Sequence, residues 1–362
     1  MRNTSSLISF FLFLLLLGLG IWLRFYGLQD ASVRSIEELS RLAFRHHSWL
    51  EMMRMQDPVH VYSFIPVTIQ YLIHQNYDGA TLILRQASFL FGVLSLPLVY
   101  HFAKSLYGQT AGFYALALFA LLPWPILISR WATPYSLIVL ITLMSAAIFV
   151  KILKELKARE GPEPLSWAQY LIILVLLSYV HHLGIILALS LAIATAGFAV
   201  GSRSHLSASY ILIILLITVN LPQFFLLHLR PTVITSDLYD AFSLANTPFA
   251  SGVSLALLTG LVAIIGLAFI KRVYSKSEES TNTLGSTDSL LMLSLPAISL
   301  VALVADRIWG FVALIDFLAL AMPVLLLLGA RALQLLFKPN LAGRIMGIIF
   351  FATLAISSFV LI

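Results

Sequence analysis

The sequence predicts an all-α, polytopic integral membrane protein, and three observations predict it. Hydrophobic residues fill 60% of the 362 positions, charged residues only 10%, and the mean hydropathy is +0.96. That is more apolar side chain than a water-soluble globule can bury. The apolar residues fall in runs of roughly 20, the length a helix needs to cross a bilayer. The runs do not alternate with polar residues, as in LISFFLFLLLLGLGIWL from Leu7 to Leu23. Barrel strands would alternate, so helices, which satisfy their backbone internally, are the spanning element.

About eleven segments meet the length requirement, starting near residues 6, 85, 109, 134, 166, 183, 207, 251, 288, 311 and 345. The first follows Arg2 and lacks a small-residue cleavage site before polar sequence, so it reads as a retained span with a cytoplasmic N-terminus. Alternating from there places Arg2, Lys104, the run KILKELKARE, Arg203, the run KRVYSK, Arg331, Lys338 and Arg344 on the cytoplasmic side. These are 13 of the 22 basic residues and include every lysine, as the positive-inside bias expects. The other nine are outer arginines: Arg24, Arg34, Arg41, Arg45, Arg54, Arg85, Arg130, Arg230 and Arg307. Nine acids share their side, so the outer face is neutral overall. Ion pairing accounts for most of these arginines. The sharper alternative is a guanidinium fork facing a phosphate, a geometry lysine lacks. Topology explains the cytoplasmic basic residues, so no nucleic-acid partner is called for. Cysteine is absent, which leaves no disulfide pattern to interpret.

The longest non-spanning region runs from about Phe25 to Asp78. Within it, Arg34 to Met53 keeps Ile36, Leu39, Ala43, Leu50 and Met53 on roughly one face and reads as a helix lying on the outer membrane surface. Asp57-Pro58 breaks it. Val59 to Ile73 is too short and polar for a span and reads as a re-entrant or interfacial helix. Further on, the outer loop from Arg230 to Ala250 has the length of a lid, and the inner loop from Tyr274 to Ser289 has linker composition. There is no fixed-period repeat and no segment that fits a soluble domain.

Candidate chemistry gathers in the first outer loop. Ser35 and Glu38 have the spacing of a capping box, a sufficient structural role for Glu38. Glu37 is a second acid in that first turn, where the helix dipole favours a carboxylate. Ionised at the membrane's outer edge, it is placed to accept a proton from an attacking hydroxyl, although a solvated helix start explains it equally well. Asp57 could orient an acceptor, bind a cation or simply open a turn before Pro58. His60 and the pair His181-His182 lie on the same side. A divalent-cation site built from Asp57, His60 and a further histidine has no ligand spacing to support it. Histidines hydrogen-bonded to headgroups or water are the simpler reading, so no cofactor is assigned. Arg130 opens the short outer turn SRWATPY, where a charge so near hydrocarbon has a partner, either a carboxylate or a phosphate. Asp316 is the one acid placed inside a span; alone it is a weak argument for ion or lipid transport.

The segment from Leu84 to Leu140 resembles the bacterial GT-C glycosyltransferases, in the branch of protein O-mannosyltransferases, aminoarabinose transferases and core galacturonosyltransferases. Arg85, Phe91-Gly92, Pro97, Tyr100, Gly108, Gly112, Pro123, Ser129 and Pro134-Tyr135 carry the resemblance, in order and spacing. GLQDASVRSIEE at 27–38 is similar to the start of that family's first outer loop. Asp57-Pro58 through Tyr62 and SYVHHLG at 178–184 fall where further family motifs lie, so the likeness covers roughly the first 200 residues. Two positions depart from the pattern. Ile36-Glu37 stands where Asp-Glu is usual, and Thr133 stands where an arginine is common.

The resemblance implies a GT-C-like membrane module over 1–228, including the first outer loop at 25–84, followed by a variable transmembrane region over 229–362. It implies a sugar moved from a polyprenyl-phosphate donor to a glycan, lipid or protein acceptor at the outer face of a bacterial inner membrane. Glu37 would be the base, with Asp57 assisting and Glu38 beside it. Arg130, Tyr135 and Arg85 would meet the donor phosphate, and His60, His181 and His182 would line the substrate. The alternative is a catalytically inactive GT-C-fold subunit that scaffolds a polysaccharide-assembly or secretion complex.

Overall fold

The computed structural model describes residues 2–26, 28, 48, 49, 51, 64–77, 80–157, 161–199, 203–228, 314–337, 347, 350–352 and 354. The chain is helical almost throughout these residues. In chain order the helices are α1 (Arg2–Phe25), α2 (Phe64–Asn76), α3 (Ala80–Tyr107), α4 (Gln109–Leu121), α5 (Pro123–Ile128), α6 (Tyr135–Lys157), α7 (Pro164–Val180), α8 (His182–Phe198), α9 (Arg203–His228) and α10 (Leu314–Leu336). The polytopic all-α architecture is therefore present. Eight of the eleven expected spans coincide with helices; those near 251 and 288 lie outside the described residues, as does most of the one near 345. Leu7–Phe25, Thr81–Tyr107 and Tyr135–Leu156 are long and apolar enough to cross a membrane by themselves.

α4 is the centre of the bundle. It packs between α1, α3 and α10, and its Ala115, Leu116, Leu118 and Ala120 are completely buried. α3 and α4 form a hairpin turned by Gly108, whose φ of 91° suits a residue without Cβ. α6 leans on α3, and α7, α8 and α9 continue outward from it. At one end of the bundle Gln334 of α10 donates to the Tyr107 carbonyl at 3.1 Å, and Lys154 of α6 donates to the Ser105 carbonyl at 3.3 Å. The expected cytoplasmic residues Lys104, Lys154 and Arg331 thus share that end.

The first outer loop differs from expectation at one point. Ser48 is non-helical, Trp49 and Glu51 are helical, and Ser48 Oγ and N both donate to Glu51 Oε2, at 2.8 and 2.7 Å. A helix begins there, so a single helix from Arg34 through Met53 does not form. The reason is local: Ser48-x-x-Glu51 is a capping box, and it satisfies backbone donors at a new start better than continuation would. Trp49 then ties this start to α2, its indole N–H donating to Thr68 Oγ1 at 3.0 Å and its ring meeting Phe64 edge-on. α2 is the short helix expected near Val59–Ile73, shifted to 64–76.

Candidate functional site

The opposite end of the bundle is built around a missing donor. Pro123 follows the extended residue Leu122 and has no N–H to give to the carbonyl of Phe119, four residues earlier. Arg24, in the last turn of α1, supplies the donor. Its Nη2 reaches Phe119 O at 2.8 Å, its Nη1 reaches Gly20 O at 2.9 Å, and the guanidinium sits 4.9 Å over the Phe119 ring. Arg24 is 0% exposed. It departs from the ion pairing expected of outer arginines: the Phe119 carbonyl freed by the helix break, the Gly20 carbonyl of its own helix and an aromatic face stabilise it. Gly92 of α3 makes room for the arrangement. A Cβ there would collide with Ser129 Oγ and stand 3.4 Å from Arg24 Nε.

Hydroxyl groups hold the irregular link from Ser129 to Pro134. Ser129 donates to the Pro125 carbonyl at 2.6 Å, Ser136 to the Ile128 carbonyl at 2.9 Å, and Ser88 to the Thr133 carbonyl at 2.7 Å. The first two occupy carbonyls that the end of α5 leaves without their usual partners, and the third binds a carbonyl of the link itself. Arg130 Nε donates to the Arg24 carbonyl at 3.4 Å, and Arg85 Nη1 to the Leu28 carbonyl at 3.3 Å. Arg130 is 7% exposed and Arg85 4%. Thr133 Oγ1 is buried and among the described residues makes no hydrogen bond, an arrangement that normally signals a water or ligand atom. Exposed Trp22, Tyr26 and Tyr77 lie at this end, the residue types found at the headgroup level of a membrane. The end therefore combines three buried guanidinium groups with exposed tryptophan and tyrosine side chains, a setting suited to an anionic group.

Of the expected site residues, the structure brings Arg85, Arg130 and Tyr135 to this end. Tyr135 is buried as the first residue of α6. His181 is an extended, fully buried residue between α7 and α8, its N–H donating to Leu177 O at 3.4 Å and its carbonyl accepting from Gly184 at 2.8 Å. Gly184 is required there, since a Cβ would run into the Leu177 carbonyl. His182 opens α8, and Asp316 lies in the first described turn of α10. Glu37, Glu38, Asp57 and His60 lie outside the described residues. Among the described residues no three of His, Cys, Asp and Glu stand together as metal ligands. Sequence reasoning missed Arg24 and the Thr133 hydroxyl; the signal for Arg24 was Pro123, which always leaves a carbonyl four residues back in need of a donor.

Neither a family model nor a curated protein sequence matches the chain. Solved structures do. ArnT from Cupriavidus metallidurans bound to undecaprenyl phosphate superposes with a TM-score of 0.56 at 13% identity, covering 94% of this chain and 63% of that one. Its apo structure gives 0.57 at 12% identity, over 98% and 64%. The oligosaccharyltransferase of Archaeoglobus fulgidus, in a complex with Zn and sulfate, gives 0.54 at 15% identity, over 97% and 52%. The chain thus spans less than two thirds of each of these relatives. Both are GT-C glycosyltransferases, and the chain has the GT-C fold.

Proposed function

We propose that the chain is a membrane glycosyltransferase that passes a sugar from a polyprenyl-phosphate carrier to a glycan, lipid or protein acceptor at the outer face of the membrane. The observation that carries the reading is the gathering of Arg24, Arg85 and Arg130 at one interfacial end of a GT-C fold. The ArnT structure with undecaprenyl phosphate supports the same class of carrier. In this reading Arg130 and Tyr135 hold the donor phosphate, with Arg85 behind them. Arg24 has no exposed surface and shapes the end without touching substrate. Glu37 takes the proton from the acceptor hydroxyl as it attacks the anomeric carbon, and the carrier phosphate leaves as an anion that needs no proton. Asp57 orients the acceptor, with His60, His181 and His182 along its path, and Glu38 closes the first turn. Positioning, a cationic partner for the phosphate and exclusion of water supply the rate.

Sugar transfer in reconstituted membranes tests this. Glu37→Gln should lower turnover by roughly 10²–10⁴-fold, the usual contribution of a general base, while carrier binding stays as in wild type. Undiminished turnover removes Glu37 from the role. The second reading, an inactive GT-C-fold subunit of an envelope assembly, is favoured by Thr133 at a position where the resemblance expects arginine. It requires wild-type protein that transfers no sugar, retains no polyprenyl phosphate and co-purifies with a partner protein.

A further inference from the structure

α2 has its polarity inside out. Ile69 and Leu72 are exposed, while Gln70 and His74, one turn apart, are buried beside Pro66 and Val67. The helix packs on α3 and α7. It turns apolar side chains toward the acyl chains and a carboxamide and an imidazole toward the protein. Gln70 is 4% exposed, and among the described residues its Oε1 accepts no hydrogen bond.

Two ordinary accounts of a buried glutamine fail here. As glue between membrane helices it would need a partner on α3 or α7, the helices it packs on, and among the described residues its oxygen has none. As filling it would be inferior to Leu or Met, because an unsatisfied buried acceptor is destabilising. An amide oxygen at this depth calls for an O–H or N–H donor, and its own like-signed charge makes a phosphate oxygen the wrong partner. The same amide carries two donor hydrogens, so it can give and take hydrogen bonds with hydroxyl groups, which do both. Gln70 precedes the end of α2 at Asn76 by six residues, and Arg85 follows the start of α3 at Ala80 by five. In a hairpin of two packed helices these positions lie at similar distances from the turn.

We propose that Gln70, on the inner face of α2, is a recognition residue for the hydroxyl groups of the carrier-linked sugar, with His74 extending the same polar face. The inference rests on the donor reading above. The test is native mass spectrometry of lipids retained by the full chain purified from its own membranes, as wild type and as Gln70→Leu. Wild type should retain glycosylated polyprenyl phosphate. Gln70→Leu should lower the ratio of glycosylated to bare polyprenyl phosphate about tenfold, the effect of losing one good hydrogen bond. Total carrier should be unchanged, and the variant should melt at or above the wild-type temperature because an orphaned acceptor is gone. An unchanged ratio, a wild type that holds only bare carrier, or a fall in melting temperature alongside the ratio would each overturn the sugar contact. A wild type that retains no polyprenyl phosphate of either kind would instead sink the donor reading itself.

Discussion

Pro123 and Arg24 lie 99 positions apart in sequence yet form one structural unit, the proline removing a backbone donor and the arginine replacing it. The pairing makes a sharp prediction. Arg24→Met should destabilise the protein by about 1–3 kcal/mol, the cost of leaving a buried carbonyl unpaired. In a Pro123→Ala background the penalty should shrink, because an alanine at that position brings its own N–H to Phe119 O. Unfolding midpoints of the two single variants and the double variant measure this coupling, and additive effects would show that Arg24 serves some other purpose. Gly92 and Gly184 act just as locally. Each is a place where one missing Cβ lets two helices meet, at Ser129 in one case and at the Leu177 carbonyl in the other.

Among elements, the connection of the first outer loop to the bundle is the most consequential. Trp49 holds Thr68 and Phe64 of α2, Phe64 meets Tyr179 of α7 edge-on, and the Tyr179 hydroxyl donates to the Val219 carbonyl of α9 at 2.6 Å. This chain of aromatic contacts fastens the loop that carries Glu37 and Asp57 to the helices that frame the arginine end. Trp49→Phe keeps the ring against Phe64 and removes only the indole N–H. Amide exchange at Ser48–Glu51 and across α2 should quicken about three- to tenfold, corresponding to a net hydrogen bond of about 1 kcal/mol. No change in exchange would mean that the loop is anchored elsewhere. Three of the residues that carry the family resemblance also work at this scale: Gly108 turns the α3–α4 hairpin, Pro123 separates α4 from α5 and Ser129 caps the break.

For the whole molecule the decisive matter is which end faces outward. Lys104, Lys154 and Arg331 share one end of the bundle, and Arg24, Arg85 and Arg130 the other, a separation from which the positive-inside bias predicts lysines in the cytoplasm. The absence of cysteine makes this directly measurable. A membrane-impermeant maleimide should label Tyr77→Cys in intact spheroplasts and Lys104→Cys only after lysis; both native residues are exposed. The reverse pattern would put the arginine end in the cytoplasm and end the outer-face account.

By itself the sequence determined the all-helical membrane class and the places where eight of the described helices run, because long unalternating apolar stretches admit no other way of satisfying the backbone in lipid. It also marked Arg85 and Tyr135, whose spacing carries part of the family resemblance, and Arg130, a charge in a short turn close to hydrocarbon. Three things were left to the tertiary structure. Arg24 became a buried clamp only when α1 lay beside the break in α4. Gln70 turned inward only when α2 settled on α3 and α7. The helix start at Ser48 is local, a capping box with Glu51, but its attachment to α2 through Trp49 and Thr68 came only with packing. Periodicity reports which face of one helix is apolar, but an orphaned carbonyl, an inverted helix and the anchoring of a loop depend on atoms distant in sequence, and only packing decides which atoms those are.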